Sequence, residues 1–120
     1  MSLCIAIAGK AIVIPAVAFS LSWVHSVERI EWRENWVVTE AGLELQMASV
    51  KGSGAGMEPG ENARLENGWW TWAPKLPTIP ELRLASSGAT VGGWRLCHSQ
   101  GCLTLGEKPG EDSVITPCSK

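Results

Sequence analysis

Tyrosine is absent from this 120-residue chain, phenylalanine occurs once, and no stretch shows the 3.6-residue apolar period of an amphipathic helix. An excess of either charge sign is missing as well: 10 Lys and Arg stand against 12 Asp and Glu, a net charge of -2. That balance excludes the basic footprint that nucleic acid or an anionic membrane surface demands. No internal repeat or low-complexity tract is present, which excludes a solenoid. Charged residues are only 18% and apolar ones 45%, a globular mixture rather than a disordered one. A long uninterrupted apolar run is lacking too. Residues 3–24 come nearest, but Lys10 and Pro15 break them and no basic segment precedes them, so a transmembrane helix is not expected.

What is abundant is tryptophan, with seven residues, and alternation. Along residues 19–25, Phe19, Leu21, Trp23 and His25 fall on one side of an extended chain, and Ser20, Ser22 and Val24 on the other. Residues 30–38 alternate likewise, with Ile30, Trp32, Glu34, Trp36 and Val38 on one face. Leu43, Leu45 and Met47 continue the pattern after the turn Glu40-Ala41-Gly42, so the three segments read as a meander. Further strands are expected at Trp69-Trp70-Thr71-Trp72, at Leu82-Arg83-Leu84, and in a hairpin from Trp94 through Gly101 to Leu105. Val114-Ile115-Thr116 reads as a last edge strand, and Pro74, Pro77 and Pro80 hold an extended connection. Strand and turn signals recurring about every ten residues predict an all-β fold: a small antiparallel β-sandwich or partly closed barrel built from hairpins, in a single domain over 1–120.

Residues 1–18 read as a strand-like or leader segment. Ala16-Val17-Ala18 matches a signal-peptidase site, yet cleavage there would discard Cys4 and leave three cysteines. Four cysteines suit two disulfides in an oxidising compartment. Cys97 and Cys102 flank a short hairpin loop and are expected opposite each other, which leaves Cys4 with Cys118. A metal centre is not expected, because Cys97, His98 and Cys102 lack the paired C-x-x-C spacing of zinc sites and no second ligand cluster follows.

Catalytic motifs fail on geometry, and no catalytic residue or cofactor is assigned. His25 and Ser26 are strand neighbours pointing to opposite faces, so one cannot serve the other as base. The loop Gly52-Ser53-Gly54-Ala55-Gly56 has neither the spacing of a nucleophile elbow nor the Gly-Lys-Ser/Thr continuation of a phosphate loop. Two polar residues do stand out on apolar faces: His25 and Glu34. A register that sets His25 opposite Trp32 would place Glu34 diagonal to it, within side-chain reach, whereas the alternative with His25 opposite Ile30 leaves them farther apart. His25, Ser26, Glu34, Gly54 and Gly56 are therefore the candidate ligand-binding residues.

The segments His25-Ser26-Val27-Glu28, Trp32-Arg33-Glu34-Asn35-Trp36, Gly52-Ser53-Gly54-Ala55-Gly56-Met57-Glu58-Pro59 and Trp94-Arg95-Leu96-Cys97 together resemble the bacterial family known as domain of unknown function 1850. The resemblance covers nearly the whole chain. It implies a protein encoded beside tripartite ATP-independent periplasmic (TRAP) transporters of the TAXI type, hence a non-enzymatic accessory module touching the membrane subunits or the substrate-binding protein. Some members carry a hydrophobic leader before the His-Ser-Val segment, whereas this chain begins almost directly with strand-like sequence. Paired cysteines favour a periplasmic or membrane-associated location over the cytoplasm. The rival expectation is a small-molecule module, binding or transforming an organic acid in a pocket made by His25, Glu34 and the glycine loop.

Overall fold

The computed structural model describes residues 1–25, 29–52, 62–86 and 90–118, with backbone alone at 90 and 91, and every regular element among them is a β-strand. β1 (Ser2–Ile7) and β2 (Lys10–Ile14) form a hairpin closed by Ala8-Gly9. Both turn residues have positive φ, 47° and 81°, the twist-matched geometry that two-residue hairpin loops prefer. β3 (Ala18–His25), β4 (Glu31–Thr39) and β5 (Gly42–Lys51) form the expected meander. β6 (Arg64–Glu66) and β7 (Trp69–Trp72) turn through Asn67-Gly68, again with both φ positive. β8 (Leu82–Leu84), the β9 (Thr90–His98) and β10 (Gly101–Leu105) hairpin, and β11 (Ser113–Cys118) complete the chain.

All pairings are antiparallel, in two sheets ordered β10-β9-β3-β4-β5-β7-β6 and β2-β1-β11-β8. Neither closes on itself. Of the two architectures expected from sequence the sandwich is the one formed, with one apolar cluster drawing on both inner faces. Leu21, Leu43 and Leu96 enter it from the larger sheet, Leu3, Ile5 and Ile115 from the smaller, all fully buried. Each such side chain contributes roughly 1.5–3 kcal/mol relative to exposure.

Within residues 1–18, β1 and β2 are strands, with Leu3 and Ile5 at the core. No helix among the described residues is long and apolar enough to cross a membrane. β11 corrects an expectation, because it lies inside its sheet between β1 and β8 rather than at an edge. Short β8 covers only Ser113, Val114 and Ile115 and stops before Pro117.

Register departs from expectation in two places. β3 and β4 pair as Phe19↔Trp36, Leu21↔Glu34 and Trp23↔Trp32, so His25 stands opposite Ile30 and not Trp32. The apolar faces meet as required. The register adopted stacks Phe19 on Trp36 and Trp23 on Trp32, with centroids 6.2 and 6.3 Å apart, whereas the alternative would oppose Trp23 to Glu34. In β5, Asn35 pairs with Met47 but Trp36 with Leu45, leaving Gln46 as an extra residue. This bulge turns Met47 off the face it was expected to share with Leu43 and Leu45, and lets Ala48 and Val50 bury instead.

Candidate functional site

Glu34 sits on the inner face of the larger sheet, paired with Leu21 on one side and Ala48 on the other. The Trp36 indole N–H donates a 3.0 Å hydrogen bond to Glu34 Oε1. Burial pushes the Glu34 carboxyl above its ordinary value of 4.5, and the Trp36 bond opposes that rise without cancelling it. A carboxylate here is therefore held by an indole, not by a histidine.

His25 ends β3 at the sheet's rim and is exposed. It lies four residue steps along the strand from Leu21, the partner of Glu34, or about 13 Å at roughly 3.3 Å per residue. The structure does not bring His25 and Glu34 together. Ser26, Gly54 and Gly56 lie outside the described residues. Their chain neighbours do share one rim: the His25 N–H donates to the Ile30 carbonyl at 3.1 Å, Ile30 lies beside Gly52, and the Gly52 N–H donates to the Gly68 carbonyl at 3.1 Å.

Between that rim and the core runs a row of indoles. Trp94 contacts Trp23 at 4.8 Å between centroids, Trp23 stacks on Trp32, and Trp32 meets Trp72 edge to face at 6.4 Å. The row crosses β9, β3, β4 and β7; small Ala48 on the intervening β5 leaves room for the last contact. The Trp94 N–H is satisfied by the Ala85 carbonyl at 3.0 Å. Trp32 Nε1 is buried with no hydrogen-bond partner among the described residues. Such an orphan donor forfeits about 1–3 kcal/mol. Trp32, Trp70 and Trp72 are half-buried and stand outside the shared core cluster. The spacing Trp69-Trp70-Thr71-Trp72 carried this signal, since alternate residues of a strand share a face.

The outer face has its own features. The Arg33 guanidinium lies 4.4 Å from the Trp69 ring centroid and 3.5 Å from the Glu31 carboxylate. A cleft of about 560 Å³ opens where the bulge exposes Met47 beside β6 and β7, lined also by Arg64, Glu66, Thr71, Pro74 and Lys75. No group of three or more His, Cys, Asp or Glu side chains among the described residues is arranged to hold a metal ion.

Both cysteine pairs expected from sequence stand at disulfide distance. Cys97 and Cys102 are direct partners across the β9–β10 hairpin, with α-carbons 4.0 Å apart. Cys4 and Cys118 link β1 to β11 at 5.9 Å.

Residues 19–105 match the family described as Domain of unknown function (DUF1850). The matched span holds all of the seven-stranded sheet but Ala18, while β1, β2 and β11 of the smaller sheet lie outside it. No curated protein and no solved structure matches the chain.

Proposed function

Because the chain belongs to the family described as Domain of unknown function (DUF1850), we propose that it is a non-enzymatic binding or accessory module of a TRAP-type solute transporter. The observation that carries the reading is the set of half-buried indoles, Trp32, Trp70 and Trp72, on the inner face beyond the core. Tryptophan is enriched at protein-binding surfaces because it combines a large apolar area with few rotamers. The occupant of that face is a membrane subunit or the substrate-binding protein of the transporter. Two cysteine pairs at disulfide distance suit an oxidising compartment, so the module works at the periplasmic side of the membrane. Affinity capture from native membranes should recover the transporter's subunits, Trp70→Ala should weaken that capture, and a deletion strain should lose solute uptake. Unchanged uptake together with capture of no transporter subunit would refute the proposal.

A second reading keeps His25, Ser26, Gly54 and Gly56, without Glu34, as the lining of a small-molecule pocket for an organic acid. It is supported by the rim that His25 shares with Ile30 and Gly52, where the glycine loop begins. Thermal stabilisation by organic acids that disappears in His25→Ala would select it.

A further inference from the structure

We infer that the outer-face cleft beside β6 and β7 binds a small monocarboxylate with an apolar body. This does not rest on the transporter reading. The cleft, about 560 Å³, falls within the ~300–1,000 Å³ of small-molecule sites. Its existence follows from the β5 bulge. By adding Gln46 to the strand, the bulge turns Met47 outward, onto the face that carries Ser49 and Thr71. Met47 and Pro74 supply an apolar surface, and Pro74 has no N–H of its own to satisfy.

Charge decides the ligand class. Arg64 and Lys75 both line the cleft, and neither has an ion-pair partner among the described residues. Two arginines elsewhere on the molecule are ion-paired, Arg33 with Glu31 at 3.5 Å and Arg83 with Glu81 at 2.7 Å, and Arg95 donates to Cys97 Sγ at 3.5 Å. Two unpaired cations around one concavity attract an anion, and a guanidinium matches the fork of a carboxylate. Glu66 lies two residues from Arg64 on the same face of β6, about 7 Å along the backbone, and pairs with neither cation. Its charge repels a second carboxylate and so selects monoanions over dianions. The Thr71 hydroxyl is tethered to that of Ser49 at 3.1 Å, which fixes the polar wall between the apolar and cationic sides.

The full chain, titrated with 3-phenylpropionate and followed by amide and methyl NMR, should show saturable shifts centred on Met47, Thr71 and Lys75. Phenethylamine, with the same ring and the opposite charge, should give none. Arg64→Gln and Lys75→Gln should each weaken binding about tenfold or more, the scale of a lost charge-assisted hydrogen bond. Both side chains are exposed, so their variants should keep the parent spectrum away from the cleft. 2-Phenylsuccinate should bind several-fold more weakly than 3-phenylpropionate, and Glu66→Gln should erase the difference. Absence of saturable shifts, equal binding of phenethylamine, or unchanged affinity in the Arg64→Gln, Lys75→Gln double variant would overturn the site. Equal affinity for the mono- and dicarboxylate would overturn its selectivity.

Discussion

Replacing each cysteine pair by alanine should reveal two bridges of very different weight. Cys4 and Cys118 are 114 residues apart in sequence, whereas Cys97 and Cys102 are separated by 5. In the chain-entropy account a cross-link stabilises by restricting the unfolded ensemble, and the restriction grows with the logarithm of the loop it closes. The long loop gives about 4.8 kcal/mol and the short one about 2 kcal/mol at 25 °C. The difference has a structural counterpart. The β9–β10 hairpin already holds Cys97 against Cys102 through its ladder, while the terminal pair joins β1 to β11, whose closure must otherwise be achieved across nearly the entire chain. Against a total stability of about 5–15 kcal/mol, the Cys4→Ala, Cys118→Ala variant loses a large share and the Cys97→Ala, Cys102→Ala variant a small one. Equilibrium unfolding of the oxidised proteins in urea measures both. The terminal variant should also show a steeper denaturant dependence, because its unfolded chain is less compact. Equal losses, or a larger loss from the hairpin pair, would refute the reasoning.

Leu21→Ala, at a fully buried position in the middle of β3, should lower stability by about 2–5 kcal/mol in the same assay, since the cavity is walled by both sheets. Glu34 should make stability depend on pH. Its folded carboxyl titrates above the ordinary 4.5, so ionisation is less favourable in the folded chain than in the unfolded one. Stability is highest below that value, falls as pH rises towards the elevated folded value, and stays lower above it. Glu34→Gln should remove this slope and exceed wild type at neutral pH, while keeping an oxygen to accept the Trp36 N–H; a difference between the two proteins that is the same at pH 4 and pH 7 would contradict this. Gly42→Ala should destabilise by about 2–3 kcal/mol, because the added methyl meets the Ile79 carbonyl at a φ of 142°. Gly9→Ala, at φ 81° with open space around it, should lose only about 1–2 kcal/mol, as urea midpoints of the two variants will show.

Alternation at 19–25 and 30–38 was enough to identify the hairpin and its buried face, because side-chain direction in a strand has a period of two and a slip of one residue would bury Glu31, Arg33 and Asn35. Cys97 and Cys102 were legible for a similar reason: a tight turn forces its flanks together. Both are local properties of the chain. The step between the two odd registers was not legible, since each keeps the same faces inward. Cross-strand stacking of Phe19 on Trp36 and Trp23 on Trp32 decided it, and moved His25 away from Glu34. The bulge at Gln46 carried no sequence signal either, being a mismatch between two strands and not a feature of one, yet it created the cleft at Met47. By itself the sequence determined which residues become strands and which faces turn inward, through backbone periodicity and turn chemistry. Tertiary structure decided which strands are neighbours, where β11 sits, and which polar groups meet, because those depend on packing between segments far apart in the chain.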